Sequence, residues 1–219
     1  MKENLVENLK NIESKIPKNV VLVAVSKTKP MESIVILYEA GQRVFGENRV
    51  EELVEKHENL PKDIDWHMIG HLQSKKVKKI ASFIGLVHAV DSLKLLEEIN
   101  KQAKRHERKI DCLLQFHIAQ EESKYGLTIE IFRELIALNS FEKLQNITIK
   151  GVMGMATFTS DKNQVRKEFQ TLKRLSKEVK THFEKADIIS MGMSGDFLTA
   201  IEEGSNMVRV GSSIFGARK

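Results

Sequence analysis

Lys27 follows the run Val20-Val21-Leu22-Val23-Ala24-Val25-Ser26 and precedes Thr28-Lys29-Pro30. Six consecutive apolar, mostly β-branched residues predict a strand buried on both faces, of the kind found in parallel sheets covered by helices. A lysine leaving such a dry strand end has little water to solvate an ammonium. Its pKa is expected to fall, and the neutral amine becomes a nucleophile toward an aldehyde. That is Schiff-base chemistry, and pyridoxal phosphate is the commonest aldehyde it serves. The alternative is that Lys27 simply ends the strand and carries its charged head into solvent.

Two later stretches have the makings of an anion site. In Gly192-Met193-Ser194-Gly195-Asp196 the glycines let backbone approach a ligand, and Ser194 offers a hydroxyl at a predicted helix N-terminus. Arg209-Val210-Gly211-Ser212-Ser213-Ile214-Phe215-Gly216 repeats the theme, so two helix N-termini are expected to face one phosphate. Either stretch alone also reads as an ordinary cap before a helix. Asn48 either donates to a ligand oxygen or caps the helix after it. His67 and His71 have HxxxH spacing, but Gly70 and the strand-to-loop setting argue against a one-face metal site. Met153, Met155, Met191 and Met193 read as fillers of irregular core gaps, and the lysines of Lys75-Lys76-Val77-Lys78-Lys79 as a solvated face over a buried stripe of Val77, Ile80, Ala81 and Ile84.

The elements that must position these residues repeat along the chain. Leu5, Leu9, Ile12 and Ile16 predict an amphipathic first helix ended by Pro17. After the Lys27 strand, a helix opened by Pro30 carries Ile34, Val35, Leu37 and Tyr38 to a stop at Gly41. Further strands are expected at 43–48, 66–70, 86–91, 110–118, 147–155, 187–192 and 207–210. Helical patterns follow at Val50, Leu53, Val54 and His57; from Ser74; from Ser92 to His106; over Ile129, Phe132, Leu135, Ile136 and Leu138; over Val165, Phe169, Leu172, Leu175, Val179 and Phe183; and from Asp196 to Glu203. Eight strands alternating with helices predict an α/β fold, a single-domain (β/α)8 TIM barrel over 1–219 with an extra N-terminal helix. An open doubly wound sheet is the alternative. In a barrel, residues just past each strand converge on one face, which gathers Lys27 with both glycine-serine stretches.

Composition narrows the function classes. The 35 Lys and Arg against 30 Asp and Glu give a net charge of +5, spread along the chain, so nucleic-acid binding is not expected. The single cysteine, Cys112, allows no internal disulfide and suits a reducing compartment. Lys2, Glu3 and Glu7 argue against a secretory signal, and no apolar run approaches a membrane span, so a cytoplasmic protein without membrane attachment is expected.

With these residues assembled, the chain resembles the pyridoxal phosphate homeostasis family along nearly its whole length. The matching stretches are 23–30 (Val-Ala-Val-Ser-Lys-Thr-Lys-Pro), 45–48 (Phe-Gly-Glu-Asn), 66–74 (Trp-His-Met-Ile-Gly-His-Leu-Gln-Ser), Gly151-Val152-Met153, 190–196 and 208–216. The resemblance implies a barrel like the N-terminal domain of alanine racemase, with Lys27 holding pyridoxal 5'-phosphate (PLP) as a Schiff base. It implies phosphate contacts from Ser194, Gly211 and Ser212, with Arg209 beside the pyridine nitrogen. The candidate cofactor-binding set is therefore Lys27, Asn48, Met193, Ser194, Arg209, Gly211 and Ser212, with no metal. Two departures stand out: Lys75 replaces a frequent asparagine, and Gln115-Phe116-His117 puts a bulky His117 near the expected rim.

An arginine beside the pyridine nitrogen disfavours ring protonation and makes the ring a poorer electron sink. Related racemases add a tyrosine from a separate β-domain, which these 219 residues are not expected to hold. The tyrosines here are Tyr38, read as packing, and Tyr125, in the loop after the fifth strand. The leading expectation is a PLP-binding protein that buffers the cofactor or delivers it to PLP-dependent apoenzymes, without robust catalysis. A weak amino-acid racemase or decarboxylase is the second reading, and an RNA or protein interaction module using Lys75 to Lys79 the third.

Overall fold

The β-branched runs pair side by side until the sheet meets its own first strand. The computed structural model describes residues 2–121 and 125–216. Its strands are β1 Val21–Val25, β2 Val44–Glu47, β3 Asp65–Met68, β4 Leu86–Val90, β5 Ile110–Gln115, β6 Ile147–Met153, β7 Ile188–Ser190 and β8 Met207–Val210. They are parallel and form a closed barrel in sequence order. Closure is made by β1 on β8, with Val21 beside Met207 and Val23 beside Arg209. The helices are α1 Lys2–Glu13, α2 Met31–Glu39, α3 Val50–Asn59, α4 Leu93–Arg105, α5 Ile129–Ala137, α6 Lys162–His182, α7 Phe197–Glu202 and α8 Ser212–Phe215. The extra helix α1 packs on α2 and α8, and Asn8 Nδ2 donates to the Ile214 carbonyl at 3.0 Å. Among the described residues no helix is long and apolar enough to cross a membrane.

Side chains alternate across each strand, so the barrel makes two apolar clusters. Val23, Leu86, Leu113, Met153 and Met207 belong to a small inner one. The outward set, with Phe45, Trp66, Leu114 and Val152, packs under the helices in a larger one that includes Leu53, Phe132, Phe169 and Leu172. Ser92 caps α4 by accepting the Leu95 N–H, and Asp161 caps α6 by accepting the N–H groups of Asn163 and Gln164.

Several local expectations shift. Strand β1 starts at Val21, which is 40% exposed, so the fully buried stretch is Val23 to Ser26 rather than the whole apolar run. Helix α1 ends at Glu13, short of Pro17. The segment after β3 is a 3-10 helix, Ser74–Lys79, instead of an α-helix. Like charges four apart, as at Lys75 and Lys79, oppose an α-helical turn, and Val77 is its one buried residue. The stripe of Val77, Ile80, Ala81 and Ile84 is buried as expected. On α3 the buried line is Val50, Leu53 and Lys56, while His57 lies flat against Phe83 with ring centroids 3.7 Å apart.

The β5–β6 pairing skips Lys150, with Cys112 opposite Ile149 and Leu113 opposite Gly151. This bulge needs φ of +148° at Gly151, and a Cβ there would stand 1.9 Å from the Ile188 carbonyl oxygen. Gly151→Ala is therefore expected to cost more than the few tenths of a kcal/mol typical of surface changes, about 2 kcal/mol or greater, read as a lower urea midpoint. An unchanged midpoint would show that the bulge relaxes freely.

Candidate functional site

The C-terminal ends of the strands surround a pocket of about 420 Å³. Its walls contain all seven residues singled out above: Lys27, Asn48, Met193, Ser194, Arg209, Gly211 and Ser212. They come from the ends of β1, β2, β7 and β8, which only barrel closure makes neighbours. Val25, Ile69 and Met155 add an apolar wall, and Phe158, 94% exposed, stands at the solvent side. Gly46 makes room for this wall, because a Cβ there would lie 2.9 Å from Val23 and 3.0 Å from Ile69. Met155 and Met193 line the pocket, whereas Met153 and Met191 are core fillers as expected.

Lys27 lies in a tight turn after β1 and is half-buried. The Lys29 N–H closes the turn on the Ser26 carbonyl at 3.0 Å, and Thr28 adopts φ of +62°. A non-glycine residue in that region costs about 1–3 kcal/mol, so something must hold it. The Thr28 N–H donates to Glu52 Oε1 at 2.6 Å. Lys56 Nζ donates to the same oxygen at 2.6 Å, to the Ser26 carbonyl at 2.8 Å and to Glu47 Oε1 at 2.7 Å. Ser26 Oγ donates to Glu47 Oε1 at 2.6 Å. Residues 26 and 28, on either side of Lys27, are thus tied to one buried cluster of three charges. Burial raises the Glu47 carboxyl above its ordinary value, against the lowering by Lys56 and Ser26. Sequence reading missed this cluster because Glu52 and Lys56 look like an i, i+4 surface pair.

The anion end differs in part from expectation. Ser194 Oγ accepts the Gly211 N–H at 3.1 Å and the Ser213 N–H at 3.5 Å, so β8's glycine-serine turn and Ser194 do converge. At the start of α7 the backbone donors are likewise taken up within the chain. The Asp196 and Phe197 N–H groups both go to the Met193 carbonyl, and Asp196 Oδ1 accepts the Met193 N–H at 2.6 Å. A carboxylate at that cap disfavours an anion there, which leaves Ser194 and the turn at Gly211 to Ser213 as the candidate anion end of the pocket. Gly195 is open, with nothing within 4 Å of a Cβ placed there.

Arg209 is buried at the inner side of the pocket, its guanidinium donating to Ser190 Oγ at 2.6 Å and to the Gly154 carbonyl at 3.1 Å. Burial pushes its pKa down to about 10, with Asp196 opposing, so it remains a cation at neutral pH. Asn48 does not cap α3, whose cap position is Arg49 without a side-chain bond. Its Oδ1 is buried with no protein partner, an acceptor available to a ligand donor.

The remaining candidates fall elsewhere. His117 is half-buried outside the pocket lining, and Tyr125 is 58% exposed and stacked on His71 with ring centroids 4.4 Å apart. Tyr38 Oη donates to Asp63 on the outer surface at 2.7 Å. His67 and His71 bond to Asp65 and Asp91 respectively, each at 3.2 Å. Lys76 and Lys79 pair with Glu51. Cys112 is buried in the barrel wall, which pushes its thiol pKa up.

Comparison with known proteins agrees with this geometry. The family model described as alanine racemase, N-terminal domain, matches residues 2–219. The pyridoxal phosphate homeostasis protein of Vibrio alginolyticus is 41% identical over 228 residues, covering 97% of this chain and 97% of that protein. The human protein of that description is 40% identical over 214 residues, 90% of this chain and 76% of its own. Among solved structures, PipY of Synechococcus elongatus PCC7942 with PLP bound has a TM-score of 0.87 and 32% identity, covering 97% of this chain and 100% of that one. Alanine racemase of Clostridium difficile 630, at 20% identity and a TM-score of 0.83, shares the fold over 99% of this chain and 60% of its own.

Removing one member of a buried ionic cluster strands the others. Lys56→Met is expected to lower stability by about 3–5 kcal/mol in urea unfolding. If the variant unfolds like wild type, the cluster does not hold the Lys27 turn.

Proposed function

The chain belongs to the pyridoxal phosphate homeostasis family, and from that premise we propose that it binds PLP in the pocket at the barrel's C-terminal mouth, buffers it, and hands it to PLP-dependent apoenzymes. The observation that carries the reading is the convergence of an amine, an anion cradle and a buried cation in one pocket of about 420 Å³. When bound, PLP supplies an aldehyde that condenses with a primary amine.

The residues present suit such a group. Lys27 offers the amine, at a turn whose two flanking residues are fixed from below. The Ser194 and Ser212 hydroxyls would receive the phosphate, together with the Gly211 and Ser213 N–H groups once Ser194 Oγ, which accepts from both, gives way to the ligand. Ile69, Met155 and Met193 bound the flat ring. Arg209 donates to the ring nitrogen, and a guanidinium that can only donate requires that nitrogen unprotonated. Asn48, whose buried amide oxygen has no protein partner, would turn its amide NH2 to a ring oxygen. A pocket open toward Phe158 and solvent favours exchange over sequestration.

Purified protein mixed with PLP and freed of excess is expected to show a visible absorbance band, with borohydride fixing the label on Lys27. Lys27→Ala is expected to abolish the band; a full band in that variant removes the lysine from the assignment. Pyridoxal, which lacks the phosphate, is expected to be held at least about tenfold more weakly, since it forfeits charge-assisted hydrogen bonds. Equal retention of the two aldehydes overturns the phosphate cradle. Loaded wild-type protein is expected to reactivate a PLP-dependent apoenzyme, while Lys27→Ala carries no cofactor across; absence of transfer from the loaded protein removes the delivery role.

A further inference from the structure

The barrel interior under the pocket carries polar side chains among its apolar ones: His67 on β3, His88 on β4, Ser190 on β7 and Arg209 on β8, all buried. They form one continuous chain. Arg209 Nη1 meets Ser190 Oγ at 2.6 Å, Ser190 Oγ meets His88 Nδ1 at 3.0 Å, and His88 Nε2 meets His67 Nδ1 at 3.0 Å. His67 Nε2 meets Asp65 Oδ2 at 3.2 Å. Asp65 begins β3, and its side chain is half-exposed at the opposite mouth of the barrel. None of the four buried residues appears among the described buried polar atoms that lack a partner.

The chemistry of the two ends dictates every proton between them. A guanidinium only donates and a carboxylate only accepts. Ser190 Oγ accepts from Arg209 and gives its own proton to the Nδ1 of a neutral His88 whose hydrogen is on Nε2. His88 then carries its hydrogen on Nε2 and donates to His67 Nδ1. His67 in turn donates from Nε2 to Asp65. With both rings neutral, the Asp65 carboxylate, which only accepts, fixes this direction from its own end. Burial above all, with the Arg209 charge acting in the same direction, holds the His88 pKa well below the ordinary histidine value, consistent with a neutral ring that accepts at Nδ1.

We propose that Ser190, His88 and His67 are positioning residues for Arg209, forming with Asp65 a one-way hydrogen-bonded chain that aims the guanidinium at the pocket and keeps its remaining donors on the ligand ring. The inference rests on the PLP reading above for what Arg209 contacts; the chain itself belongs to the protein without ligand. Asp65 gives it a solvated, negatively charged terminus. Gly154, at the end of β6, holds the second guanidinium nitrogen, so the group is fixed at two points with the serine as the adjustable one.

Two measurements test it. Nitrogen-15 NMR of the histidine rings in ligand-free protein is expected to find His67 and His88 both neutral with hydrogen on Nε2; hydrogen on Nδ1 of either ring overturns the chain. Absorbance of PLP-loaded protein then reads the effect on Arg209. His88→Leu is expected to shift the band and weaken PLP retention by about two- to tenfold, the loss of one hydrogen-bonded link. His88→Asn, which keeps an acceptor at the Nδ1 position, is expected to recover most of the wild-type spectrum, which a purely structural role does not predict. Should His88→Leu fail to fold, Ser190→Ala carries the same expectation with a smaller change in volume. A folded variant with wild-type band and retention overturns the positioning role alone. Wild-type protein that gives no band with PLP overturns the proposed function and this inference together.

Discussion

The pairing of β1 with β8 is the constraint on which the site depends. Val21 to Ala24 hydrogen-bond alongside Met207 to Val210, joining segments separated by most of the chain. Only that closure sets the turn bearing Lys27 beside the Gly211-Ser212 turn. A Cβ at Gly211 would already lie 3.2 Å from the Val25 carbonyl oxygen, which shows how closely the two strand ends approach. Helix α1 reinforces the seam by packing on α2 and α8, the helices that follow β1 and β8. Lys29 adds a further tie by donating to the Phe215 carbonyl at 3.2 Å.

Around that seam the protein keeps two cations in low-dielectric surroundings and supports them in different ways. Lys56 is held by two carboxylates and a carbonyl, so its charge is neutralised where it stands and its geometry is passed to the Lys27 turn. Arg209 is given a hydroxyl and a carbonyl, with Asp196 acting at longer range, and its pKa falls to about 10. The first arrangement immobilises a loop. The second leaves a positive charge less completely compensated at the wall of a pocket. The barrel tolerates both because each cation has oxygen acceptors within hydrogen-bond reach.

The strand and helix alternation was legible because β4 is a short run buried throughout, while α4 and α6 keep a 3.6 period in their buried apolar residues. The binding residues were legible for another reason. Lysine, serine and glycine just past the ends of β1, β7 and β8 must share one rim once the barrel closes, so their types suggested a candidate site there. What escaped were charged residues that imitate the surface. Lys56 and Glu52 have the spacing of a solvated helical pair, and His88 sits in an unbroken apolar run as if it were filler. Spacing also did not show that Asp196, a reasonable capping residue by type, turns its carboxylate onto the Met193 N–H.

By itself the sequence determined the closed parallel barrel, the rim on which chemistry gathers and the residue types available there, since these follow from local periodicity and the fixed polarity of strand-to-helix units. Tertiary structure alone decided which polar groups meet inside. The partners of Arg209, Lys56 and His88 lie on other strands and helices, and a hydrogen bond depends on distances of a few tenths of an ångström that no one-dimensional pattern carries. Strand register, the Gly151 bulge and the crossing of the barrel interior set those distances, and with them the path from Asp65 to the pocket.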